Sequence, residues 1–438
     1  MNDTIVFMSA YDITKYSKAK LPRFNKKQGL DILLEKHHLT YMLLGDKLVS
    51  PKGTLTLNTE YDYIHQNTTF SFEPVKEEHN IEELQETINR TGFCIKLLHA
   101  QSVLADSAYF KIDYLICMES FLVHIGERLF QIDPVIFSMN RMLITIFEVI
   151  DFETGIPLKK DDVFGKKGNY NLLTVKGYQY FGDKNTTLYN GKISEIIYDN
   201  VSDFFCEMVG KRFKAEEYSF LHNTLVLSNE IDDVAKYFCD LIGTRELPSP
   251  LENISTTENY EYYPQDGSSV IKNYNPDDVD ISLYNGIMLE SIKLYIYLFQ
   301  IINVEITEDM NKVVRNDMYL ENLFFAPHIP IETYNLLSYI YKTRSFQHWK
   351  EAAKLKISYM AAENELKKNR NAVLLNILLY IVSLLGAIGT LETLENRLNI
   401  PFQCSFGAVI SVFSIFGIIW VVADCGRVIR SPCSLDVW

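Results

Sequence analysis

Residues 372–391, Ala-Val-Leu-Leu-Asn-Ile-Leu-Leu-Tyr-Ile-Val-Ser-Leu-Leu-Gly-Ala-Ile-Gly-Thr-Leu, carry no charged side chain. A run of about 20 such residues matches a hydrocarbon core roughly 30 Å thick at 1.5 Å of helical rise per residue, so this stretch must be buried completely or placed in lipid. The approach to it narrows the choice. From 331 to 391 there is no proline, and the first glycine is Gly386, inside the apolar run itself. This reads as one helix of about 60 residues, roughly 90 Å long, far more than a globular domain needs. A second uncharged run, 402–423, follows a short connection at 392–401. The C-terminal part is therefore expected to form a helical hairpin through a bilayer.

The flanking charges orient that hairpin. Lys367, Lys368 and Arg370 precede the first run, Arg427 and Arg430 follow the second, and the connection carries Glu392, Glu395 and Arg397. By the positive-inside rule both termini are cytoplasmic, and the expected location is the cell inner membrane. The N-terminus lacks a basic stretch followed by a long apolar core, so no cleaved signal peptide is expected. A mean hydropathy of -0.04 conceals the span because the apolar excess is concentrated near the end. The net charge of -14 argues against direct binding of nucleic acid, which needs clustered Lys and Arg to neutralise phosphates. Seven cysteines without a Cys-x-x-Cys pair fit neither a zinc site nor a disulfide framework.

The expected fold is an α/β cytosolic domain, an α-helical bundle with a long stalk helix, and the two-helix transmembrane hairpin. Residues 1–245 read as the α/β domain, a candidate ligand sensor. Strands are expected at 4–8, 39–44, 54–57, 109–116, 121–125 and 143–152, from their β-branched and aromatic content. The stretch 143–150 is apolar on both faces and should lie centrally in the sheet. Helices are expected at 81–90 and 231–242, and Asn190-Gly191 should make a hairpin turn. Residues 246–280, rich in proline, acids and tyrosine, read as a linker or long loop. Tyr260, Tyr262 and Tyr263 there could stack on an adenine or simply pack. Residues 281–370 read as cytosolic helices ending in the stalk. Within them 292–302 resembles a span, but Glu290, Lys293 and Glu305 favour a buried bundle helix. The remaining segments are a first span at 371–391, an outer loop at 392–401, a second span at 402–423 and a cytoplasmic tail at 424–438.

The long helix repeats in sevens. Leu355, Ala362, Asn369, Asn376, Ser383 and Thr390 fall on one line; Ala352, Tyr359, Leu366, Val373, Tyr380 and Ala387 form its neighbour. Helices packed around a common axis use such a 3.5-residue repeat. Polar groups in lipid are costly unless they face a partner or water, so Asn376, Ser383 and Thr390 should face a bundle interior. In a symmetric oligomer they would line a pore, beginning at Asn369, or they would hydrogen-bond neighbouring helices. Gly407, Ser411, Ser414 and Gly417 in the second run should let helices approach closely.

A folded cytosolic domain, a very long helix entering the first span, a short outer loop, a second span and a basic tail resemble the CorA family of two-span metal-ion transporters. The resemblance implies a homopentamer with the first span around the pore, and a divalent cation as cargo. The family carries Gly-Met-Asn at the outer end of that span, whereas this chain has Gly386-Ala387-Ile388-Gly389-Thr390-Leu391. Magnesium selectivity thereby loses its motif. The departure and the large N-terminal domain resemble the CorA-like effectors of type III CRISPR systems, which implies a small nucleotide ligand, SAM-AMP, and membrane permeabilisation in antiviral defence. Two other readings stand beside it, a magnesium transporter and a non-conducting scaffold anchored in the bilayer. His37-His38 lies beside Glu35 and could hold a metal, but reads as a pair of surface histidines. Gly165-Lys166-Lys167-Gly168 lacks the spacing of a phosphate loop; it could contact an anion, but reads as a turn. No catalytic constellation emerges, so an enzyme is not expected.

Overall fold

The computed structural model describes residues 4–12, 39–44, 47–50, 53–62, 67–74, 92–104, 109–118, 121–125, 128–132, 134–139, 142–156, 168–176, 179–180, 187–191, 220–242, 246–247, 249–275, 279–305, 307, 309–324 and 329–398, with positions 407, 411 and 414. The chain divides into two compact units, Met1–Ile357 and Ser358–Trp438. The first is a mixed α/β domain and the second is helical where it is described.

The domain is organised on β1 (Thr4–Asp12), whose residues are buried on both faces from Ile5 to Ala10. Further strands along the chain are β2 (Leu39–Leu44), β3 (Lys47–Ser50), β4 (Gly53–Asp62), β5 (Asn67–Pro74), β6 (Ile112–Met118), β7 (Phe121–Ile125), β8 (Arg128–Ile132) and β9 (Val135–Met139). They are followed by β10 (Met142–Asp151), β11 (Gly168–Lys176), β12 (Gln179–Tyr180), β13 (Thr187–Gly191), β14 (Phe220–Ser228), β15 (Tyr260–Pro264) and β16 (Ser268–Asn273). All belong to one hydrogen-bonded sheet among the described residues. β1 runs antiparallel between β10 and β14, with Phe7 opposite Phe147 and Thr224. The rings of Phe7 and Phe147 stack at 5.4 Å, an aromatic cross-strand pair at the centre of the sheet. β10 is buried almost throughout, as its two-sided apolar pattern requires.

Beyond β14 the sheet continues parallel into β16, which pairs antiparallel with β15. This hairpin corrects the expectation of a linker over 246–280. Its alternate residues Tyr260, Tyr262 and Pro264 are buried, so the tyrosines pack in the core rather than standing free for a base. The turn between the strands contains Gly267 at φ +80, a backbone angle that favours glycine. Asn190-Gly191 is no hairpin turn either: both residues lie in β13, opposite Asn169 and Gly168 of β11.

Helices α1 (Gly92–Leu104), α2 (Val234–Ile242), α3 (Val279–Glu305), α4 (Met310–Phe324) and α5 (Ile331–Lys342) complete the domain. α2 is started by Asp233, whose carboxylate accepts the amide of Lys236 at 3.1 Å, a standard N-cap arrangement. α3 passes for a membrane span by length and composition, yet 83% of its apolar window is buried, so it is the core helix expected from its charges. It packs on β1, β14 and β16 and against α1, α4 and α5. Gly286 permits the close approach to β16: a Cβ there would come within 2.1 Å of Ile271 Cδ1.

The expected helix over 331–391 is two helices. α5 ends at Lys342, Thr343 is extended at ψ 144, and α6 (Arg344–Leu398) then runs for 55 residues. α6 continues past 391, so the first part of the expected outer loop is helical. The apolar window of α6 is 0% buried. Residues 35–38, 81–90, 165–167 and most of 402–438 lie outside the described residues.

Candidate functional site

A folded chain that buries charge must satisfy it, and α3 buries two charges one turn apart. Lys293 Nζ lies 3.0 Å from Glu290 Oε1, and both side chains are essentially inaccessible. Isolated ions of this kind would cost several kcal/mol each, so their remaining valences must be filled. They are filled by strand residues. Glu290 accepts from the Tyr262 hydroxyl at 2.7 Å and from the Asn223 amide, while Lys293 donates to the Gln265 carbonyl at 2.6 Å and to Ser269 Oγ at 2.7 Å. Burial and the Glu290 charge hold the Tyr262 phenol well above its ordinary pKa, so it remains a donor. Asn223 turns its other amide atom to the Thr224 backbone N–H, 2.9 Å away. One pair thus ties β14, β15 and β16 to the middle of α3.

The β15–β16 turn carries the connection onward. Asp266 follows Gln265 and accepts the Tyr297 hydroxyl at 3.1 Å through one oxygen and the Ser345 hydroxyl through the other. Tyr297, one turn beyond Lys293 on α3, also lies 2.9 Å from Thr343 Oγ1. Burial, then the Asp266 charge, raises the Tyr297 pKa. Thr343 Oγ1 in turn donates to the Ile340 carbonyl at 2.8 Å and accepts the Phe346 amide at 3.4 Å, which caps α6. An unbroken set of contacts therefore leads from β14 through Glu290, Lys293 and Asp266 to the α5–α6 junction.

Three further anchors fix the helices. Glu332, buried in the first turn of α5, accepts the Thr256 amide at 2.9 Å, Ser255 Oγ at 3.0 Å and the Tyr260 hydroxyl at 2.9 Å. Lys350 of α6 pairs with Glu321 at 2.7 Å and donates to the Tyr341 hydroxyl at 2.8 Å. Lys356 also donates to the Asn303 and Val304 carbonyls, placing a cation at the C-terminal end of α3 where the helix dipole favours it. These contacts suit a rigid mount and a transmission path. No group of three metal-ligating side chains is present among the described residues.

The residues singled out from the sequence lie elsewhere. Asn369, Asn376 and Ser383 are exposed along α6. Ser383 donates its hydroxyl to the Leu379 carbonyl at 2.8 Å, leaving its oxygen able to accept. Thr390 lies in the helical part of α6, and its side chain is outside the described residues. Gly407, Ser411 and Ser414 are helical and exposed, with Ser411 bonded to the Gly407 carbonyl at 2.8 Å; Gly417 is outside the described residues. Nothing lies within 4 Å of a Cβ placed on Gly386 or Gly407. Sequence reasoning missed the buried polar path. Its one visible signal was the charged pair at i and i+3 inside an otherwise apolar helix. The chain matches no protein-family model, no curated protein and no solved structure.

Proposed function

We propose that this chain is a membrane-embedded conduit of CorA-like build, in which the α/β domain binds a nucleotide signal and α6 transmits the response to a pore. The observation that carries this reading is the apolar window of α6, which no part of the described chain covers. A 20-residue apolar surface left in water would drive aggregation, and lipid is the environment that removes it. The polar line through Asn369, Asn376, Ser383 and Thr390 supports a self-associated helix with a hydrated interior, because lipid would penalise those groups. The second run at 402–423 would pack around that ring in a homo-oligomer with both termini in the cytoplasm.

The signal proposed is SAM-AMP, in type III CRISPR defence, and the effect is loss of the ion gradient. A ligand of this kind opens the conduit only by binding open and closed states with different affinity. The test is ion flux from liposomes reconstituted with the full chain, with and without SAM-AMP. Ligand-dependent release that disappears in Asn376→Leu/Ser383→Leu is expected. Liposomes that stay sealed around correctly inserted protein at saturating ligand would refute the conduit, and rescue of a magnesium-starved strain would support the transporter reading instead.

A further inference from the structure

We propose that the break at Thr343 is conditional, so that the chain has a second state in which α5 and α6 form one continuous helix. Helix breaks ordinarily trace to proline, to glycine or to a group inserted in the backbone ladder. Residues 331–385 contain neither proline nor glycine. The local backbone therefore permits continuity, and the interruption rests on the caps made by the Thr343 and Gln347 side chains together with the tertiary contacts of Thr343 and Ser345. Conflicts between local preference and global structure concentrate at functional positions.

The two states are one torsion apart. Thr343 has φ -65, already the helical value, and departs from helix only in its ψ of 144. Rotating that single angle would let the amides of Arg344, Ser345 and Phe346 reach the carbonyls of Ile340, Tyr341 and Lys342. Side chains now occupy those positions. Thr343 Oγ1 takes the Ile340 carbonyl and the Phe346 amide, and the Gln347 side-chain amide takes the Tyr341 carbonyl. The hydrogen bonds lost and gained are thus similar in number, which is the requirement for a bistable element. Burial of Phe346 and Ala353 makes the broken form the resting state.

Asp266 is the control point. It holds both Ser345 and Tyr297 from the β15–β16 turn, and the same turn is held to α3 by Lys293. Any event that shifts this turn withdraws the groups that keep Thr343 extended. The inference stands whether or not the chain conducts.

Electron–electron distance measurement on the full chain in detergent tests it. Spin labels on non-canonical residues at 334 and 355 sit at exposed positions, 49% and 72% accessible. A straight helix separates these positions by about 31 Å. Wild type should give a shorter distance, and Thr343→Ala/Asp266→Ala should add a population near the straight-helix value. Thr343→Ser, which keeps the hydroxyl, should match wild type. Identical distributions in wild type and the double variant, with amide protection of β1 intact, overturn the proposal. If the double variant loses that protection, Asp266→Asn is read by the same criterion. A long distance in Thr343→Ser also overturns it, because the hydroxyl would then not be the holding group.

Discussion

Removing Lys293 tests whether the buried pair is the keystone of the domain. At 3.0 Å and an effective dielectric of about 20, the attraction between Glu290 and Lys293 is on the order of 5–6 kcal/mol. Desolvation of the two ions consumes most of this, so the intact pair contributes little net stability. Breaking it is another matter. Lys293→Met leaves the Glu290 carboxylate buried with two neutral donors, and it orphans the Gln265 carbonyl; the expected loss is about 3–5 kcal/mol. Glu290→Gln strands the ammonium in the same way and should cost a similar amount. In Glu290→Gln/Lys293→Met no charge remains, so the double variant should lose less than the sum of the two, by a coupling energy of about 2–3 kcal/mol. Pulse proteolysis of the full chain in detergent across a urea gradient measures all four corners of the cycle. Additive losses, with coupling below about 0.5 kcal/mol, would refute the assignment of a buried ion pair.

Gly286→Ala should destabilise by about 1–3 kcal/mol despite the better helix propensity of alanine, because its Cβ collides with Ile271. Ile271→Val removes the colliding Cδ1 and should recover part of that loss in the same urea assay; no recovery would locate the cost elsewhere. Burial lowers the pKa of His222, which shares a 2.7 Å hydrogen bond with Ser9, from 6.5 to about 4. The unfolded chain then binds the extra proton between those values, so stability should fall as pH drops from about 6.5 to about 4. His222→Gln should flatten that slope, and an unchanged slope would show that His222 is not its source. Glu332→Ala should cost about 1.5–3 kcal/mol by releasing α5 from Thr256 and Tyr260, visible as faster amide exchange over 253–260. Unaltered exchange there would mean that the segment is held by other contacts.

What the sequence made legible was whatever local pattern controls. Strands 39–44 and 121–125 begin and end where their composition places them, and the doubly apolar 143–150 sits in the middle of the sheet. The burial of α3 followed from Glu290 and Lys293, whose charges exclude lipid. Long-range satisfaction hid the rest. β15 looked like a loop because Tyr260 and Tyr262 are polar at one end, and the carboxylates that complete them, Glu332 and Glu290, lie 72 and 28 residues away. The break at Thr343 was invisible for the same reason. No proline or glycine marks it, and of the groups that hold it Tyr297 and Asp266 belong to other elements.

The apolar character of α3 also bears on how the protein is made. All sixteen described strands precede α3 in the chain, including β16, against which Gly286 rests. When α3 leaves the ribosome, the sheet and α1 on which it packs have already been synthesised, and burial against them can begin at once, with α4 and α5 to follow. An insertion machinery that samples emerging apolar helices would meet α3 before it meets α6. Glu290 and Lys293 bias that choice, since a central lysine alone opposes membrane insertion by about 2.5–3.5 kcal/mol. The pair that joins sheet to helix in the finished domain thereby also disfavours, during synthesis, the transfer of α3 into a bilayer.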